Sequence, residues 1–74
     1  MGGEGRIMEE STKQLMDQIA KSIEEAGYMP YDQLSAYLKT MDDRYITRHG
    51  NARATIRGID RGVLIEYLDQ LSRR

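Results

Sequence analysis

Apolar residues recur along this chain at helical spacing, and nowhere do they alternate for long enough to make a strand. Met8, Leu15, Met16, Ile19, Ile23 and Ala26 fall on one face at separations of three, four and seven, which predicts a long amphipathic first helix. Ser11 or Thr12 could cap it, or Glu9 and Glu10 could sit in its first turn against the positive end of the helix dipole. Gly27 is placed to supply the left-handed residue that stops it.

Tyr28-Met29-Pro30 reads as a turn, with Pro30 fixing the entry to a second helix whose stripe is Leu34, Tyr37, Leu38 and Met41. Asp42-Asp43 interrupts, and a short turn or helix is expected around Tyr45-Ile46. His49-Gly50-Asn51 is a strong break, and Asn51 is positioned to cap a short helix from Ala52 to about Arg57. Gly58 ends or bends that helix, Asp60 caps the last one, and Leu64, Tyr67, Leu68 and Leu71 line its inner side. The expectation is an all-α bundle of about four helices, the middle two short. Residues 1–7 are glycine-rich and read as a disordered tail before a single helical domain over 8–74. Tyr37 and Tyr67 lie on the stripes and are expected in the core, whereas Tyr28, Tyr31 and Tyr45 flank turns.

A chain of 74 residues allows one small core, and a lone core of that size is marginal. The absence of cysteine removes disulfides and thiolate metal sites together. The single histidine, His49, is not accompanied by any metal-ligand spacing, so no cofactor is expected. Self-association is the remaining means of stabilisation, and a packed or intertwined homodimer is expected, with the long first helix as its seam. No apolar run is long enough to cross a membrane. The opening Met1-Gly2-Gly3-Glu4-Gly5 lacks the charged and apolar regions of an export signal, so the expected compartment is the cytoplasm.

Charge is near balance, 11 basic against 12 acidic residues, but it is unevenly spread. All the lysines, Lys13, Lys21 and Lys39, lie before Arg44, and from Arg44 onward the basic residues are arginines only. No acidic residue occurs between Arg44 and Ile59, where a solvating face would ordinarily mix its signs. Arginine presents a planar fork of donors that suits carboxylate and phosphate, unlike the point charge of lysine. Arg53, Arg57 and Arg61 recur every four residues, although Gly58 and Asp60 should split Arg61 from the other two. Arg48 and His49 close one side, so the expected partner-binding surface is Arg48, His49, Arg53, Arg57 and Arg61, built across a corner between two helices. The plainer alternative is a solvated face with local pairs, such as Arg57 or Arg61 with Asp60 or Glu66. Catalysis is not expected: the serines and threonines have only His49 as a possible base, and none stands in a nucleophile motif.

The middle of the chain carries a distinctive pattern. It runs Gly27-Tyr28-x-Pro30-x-x-Gln33-Leu34-x-x-Tyr37-Leu38, then Tyr45-Ile46-x-Arg48-His49-x-Asn51-Ala52-Arg53-x-x-Ile56-Arg57-x-x-Asp60-Arg61, then Leu64-x-x-Tyr67-Leu68. This resembles the IreB family of bacterial regulatory phosphoproteins, from about Ile19 to Leu71. The resemblance implies an all-helical homodimer without catalytic activity, from Gram-positive bacteria, phosphorylated by a transmembrane Ser/Thr kinase that senses cell-wall status. It also implies influence on peptidoglycan synthesis and cephalosporin tolerance, in part through Clp-protease turnover of an early cell-wall enzyme.

Two departures stand out. The family's usual phosphoacceptor is a threonine in the tail, and here Gly2-Gly3-Glu4-Gly5-Arg6 holds neither threonine nor serine, leaving Ser11 and Thr12 as the first hydroxyls. Thr40-Met41-Asp42-Asp43 stands where the family has a Gly-Asp-Pro-like turn. The competing functional class is a small helix-turn-helix-like nucleic-acid binder. The net charge of -1 argues against it.

Overall fold

The computed structural model describes residues 10–73, which form helices joined by tight turns, with no strand among them. The expected tail over 1–7 and the stripe residue Met8 lie outside the described residues. In chain order the helices are α1 (Glu10–Glu25), α2 (Pro30–Thr40), α3 (Ala52–Ile56) and α4 (Arg61–Ser72). Single 3₁₀ turns at Asp43–Tyr45 and His49–Asn51 bridge α2 to α3. Only α3 is short; α2 has 11 residues against 12 in α4, so the expectation of two short middle helices holds for one of them.

The helix ends follow from their residues. At the end of α1, the Tyr28 amide donates to the Ile23 carbonyl at 3.1 Å and the Gly27 amide to that of Glu24 at 2.9 Å. This paired closure needs a left-handed residue, and Gly27 supplies it with φ 93°. Pro30 opens α2, where its missing amide costs nothing. The Asp60 carboxylate caps α4 by accepting from the Gly62 amide at 2.8 Å. Asn51 precedes α3 as expected, but its side chain makes no cap bond. Its contribution is conformational: φ is 63°, a left-handed geometry that asparagine tolerates better than most residues.

One core joins all four helices: Met16, Ile19 and Ile23 from α1, Leu34 and Tyr37 from α2, Ala52 and Ile56 from α3, and Val63, Leu64, Tyr67 and Leu68 from α4. Ile46 and Ile59 enter from the connecting turns. α2 packs on α4, while α1 packs on α3 and on the His49–Asn51 turn. The Tyr67 hydroxyl also donates to Asp17 on α1 at 2.9 Å, satisfying its polar end at the core margin. Two of the described stripe residues are exposed instead of buried. Leu15 is 41% exposed, because α1 buries a narrower face than its apolar content suggests. Met41 is 47% exposed because it terminates α2 in the left-handed conformation, φ 55°, instead of continuing the stripe.

Gly50 governs how the α2–α3 connection lies on α1. Its φ is 59°, and a Cβ there would stand 3.0 Å from the Ser22 Cβ and closer still to the Ser22 hydroxyl. Gly27 has open space around it by comparison. Gly50→Ala should therefore lower stability by more than about 1 kcal/mol, and by more than Gly27→Ala does, in paired urea unfolding curves. Met41→Gly, which relieves a left-handed side chain that packs little, should raise stability by about 1 kcal/mol in the same assay.

Candidate functional site

The predicted surface residues separate into distinct roles. Arg48, Arg53 and Arg57 meet around a shallow cleft of about 220 Å³, lined also by Asn51 and Ala54. No carboxylate is among its lining residues. Arg48 comes from the turn entering the His49–Asn51 segment, and Arg53 and Arg57 lie one helical turn apart at the two ends of α3. The sharp reversal made by two consecutive left-handed residues, Gly50 and Asn51, brings Arg48 beside that face.

Arg53 is half-buried and turned partly inward. Its Nε donates to the Ile46 carbonyl at 2.9 Å, and an Nη reaches the Arg44 carbonyl at 3.4 Å. These carbonyls close the Asp43–Tyr45 turn, so the guanidinium ties that turn to α3 while its edge lines the cleft. Arg57 is exposed, and its Nε pairs with the Asp43 carboxylate across 14 positions of sequence. The local partners considered for it, Asp60 and Glu66, are otherwise engaged: Asp60 caps α4, and Glu66 accepts from Gln70 at 3.3 Å. Arg48 is exposed and makes no ion pair or hydrogen bond through its side chain among the described residues.

Two predicted members stand apart. His49 faces α1, where its Nε2 lies 3.2 Å from a Glu25 oxygen, and it does not line the cleft. Arg61 occupies the first turn of α4 beyond the Gly58–Asp60 corner and is likewise outside the cleft. Of the possible phosphoacceptors, Ser11 is exposed and Thr12 half-buried on the first described turn of α1.

Asn51, expected only as a helix cap, lines the cleft, and Asp43, outside the expected surface, pairs with Arg57 beside it. The signal for Asp43 was its position as the last acid before an acid-free arginine block. Beside the cleft, Asp42 caps the 3₁₀ turn through the Arg44 amide at 3.0 Å, and the Arg44 side chain returns to the same carboxylate at 2.8 Å. A second depression of about 230 Å³ is lined by Asp42, Arg44 and Tyr45. The side-chain hydrogen bond from Arg44, then the bond from its backbone amide, lowers the Asp42 pKa from 3.8 to about 2. Because this folded value lies below the unfolded one, the contribution of Asp42 to stability is present above about 3.8 and is lost as pH falls through about 2.

No group of three or more potential metal ligands occurs among the described residues, and none of their helices is long and apolar enough to cross a membrane.

Two measurements check these assignments. Arg53→Gln should destabilise the fold by about 1–2 kcal/mol through loss of its bonds to buried-side carbonyls, whereas Arg48→Gln should stay within about 0.5 kcal/mol of the parent in urea unfolding. In a carboxyl-carbon NMR titration, Asp42 should remain ionised at about pH 3, and Arg44→Gln should return it toward the ordinary aspartate range.

A family model described as IreB regulatory phosphoprotein matches residues 4–71, nearly the whole chain. The chain belongs to the IreB family of regulatory phosphoproteins.

Proposed function

We propose that the protein is a non-catalytic cytoplasmic regulator that docks a protein partner on the cleft formed by Arg48, Arg53 and Arg57. The observation that carries this reading is the convergence of three arginines on a cleft without a lining carboxylate. Internal bonds hold two of them in place, so less side-chain entropy is lost when a partner arrives. In the setting its family implies, the partner belongs to Ser/Thr-kinase-linked control of peptidoglycan synthesis and antibiotic tolerance, with a Clp-protease system as one candidate. Ser11 is the more accessible of the two hydroxyls for such a kinase, since Thr12 is half-buried.

The working unit in this proposal is a homodimer. Leu15, Tyr28, Met29, Tyr31, Met41, Tyr45 and Ile65 are all exposed, an apolar allotment that a second copy would cover in part. Nucleic-acid binding is the weaker alternative: α3 has only five residues, and α4 carries Glu66 and Asp69 as well as Arg61. His49 and Arg61 remain as peripheral members of the docking surface.

Affinity capture from a native lysate tests the proposal, with wild type and Arg48→Glu side by side. Arg48 is the proper target because its replacement leaves the internal bonds of Arg53 and Arg57 intact. The expected result is loss of the captured partner with an unchanged helical circular-dichroism spectrum. Equal capture by both proteins would show that the surface has been misassigned.

A further inference from the structure

The cleft narrows the chemistry of what it can hold. Arg48 comes to it from the turn and Arg53 and Arg57 from α3, and Asn51 also lines it. A carboxylate is satisfied by the fork of one arginine, whereas donors converging from separate directions suit a tetrahedral oxyanion with several acceptor oxygens. The donors are also available. Arg53 uses Nε and one Nη on backbone carbonyls, Arg57 uses Nε on Asp43, and Arg48 uses none, so each retains guanidinium N–H groups not engaged by the described residues.

Charge points the same way. Asp43 offsets one of the three cations, leaving an excess suited to a dianion. A phosphodiester backbone would require a longer basic track, but Asp42, Asp43 and Asp60 border the arginines and the chain carries a net charge of -1.

We infer that the Arg48–Arg53–Arg57 cleft is a receptor for a phosphate monoester, a phosphoserine or phosphothreonine on a docking peptide. This assignment rests on the docking reading above for its occupant, and it adds the chemical group recognised. The occupant assigned here is a separate phosphorylated molecule: Ser11 of the same chain sits in the first described turn of α1, 14 positions before Glu25, about 21 Å along the helix from the end that meets His49.

Amide-detected NMR titration of the full chain tests the inference, using a short neutral peptide with one phosphothreonine. The controls are its unphosphorylated form, its aspartate form and inorganic phosphate. The phosphopeptide should shift Arg48, Asn51, Ala54 and Arg57 saturably, and inorganic phosphate should shift the same residues more weakly. Arg48→Gln should weaken phosphopeptide binding about tenfold or more while preserving the rest of the spectrum. Binding should also decline as pH falls through about 6, where a phosphate monoester takes up its second proton. Equal binding of the aspartate peptide, shifts outside the cleft, no saturable shift, or indifference to Arg48→Gln would each overturn the inference. Capture of a lysate partner that is lost in Arg48→Glu but survives phosphatase treatment would overturn it while leaving the docking reading intact. Phosphopeptide binding alongside unchanged capture by Arg48→Glu would instead remove the docking reading.

Discussion

The cleft depends on the Arg53 guanidinium and the two carbonyls it holds. Between Met41 and Asp60 the backbone has only five residues of α-helix, too few to satisfy its polar groups by helical hydrogen bonds. Arg53 supplies donors to the Ile46 and Arg44 carbonyls, Gln33 accepts from the Thr47 amide at 2.9 Å, and Asp42 accepts from the Arg44 amide. Ile46, Ala52, Ile56 and Ile59 then fix the segment on the core. The segment is stable because polar ties and apolar anchors act together, and neither set would hold so irregular a path alone.

This arrangement divides the arginines by function. A guanidinium locked to carbonyls has lost its side-chain freedom on folding, so it can present its remaining edge at little further entropic cost. Arg53 plays that part, and Arg57 is steered similarly by Asp43. Arg48 remains exposed, without a side-chain partner among the described residues, and can adapt to what arrives. Two internally held donors beside one without an internal partner would suit the oxyanion recognition proposed above. An exposed salt-bridge lattice would contribute little to stability by itself, so the structural weight of this region rests on Arg53 and the buried isoleucines.

Features set by nearby residues were legible in the sequence. The inner face of α1, the Gly27 stop, the Pro30 start, the Asp60 cap and the corner separating Arg61 from Arg53 all depend on interactions within a few positions. The sequence misled where local signals competed with tertiary packing. Met41 fits a helical stripe by spacing, yet α2 ends there because the chain must turn toward Ile46. Leu15 lies beside the buried face of α1, but the neighbouring elements do not reach it. The pairings of His49 with Glu25 and Arg57 with Asp43 cross 24 and 14 positions, so no local pattern announces them. The cleft was therefore visible as an acid-free run of arginines, while the inward turn of Arg53 and the departure of His49 toward α1 emerged only from the packed structure.

The division between fixed and free arginines can be measured directly by solvent exchange of the arginine Nε–H protons. The Arg53 proton, held by the Ile46 carbonyl, should exchange slowest, that of Arg57 should be intermediate, and that of Arg48 should exchange at the rate of free arginine. Uniform fast exchange across these residues would contradict the account, because the cleft would then have no internally fixed donor around which to form.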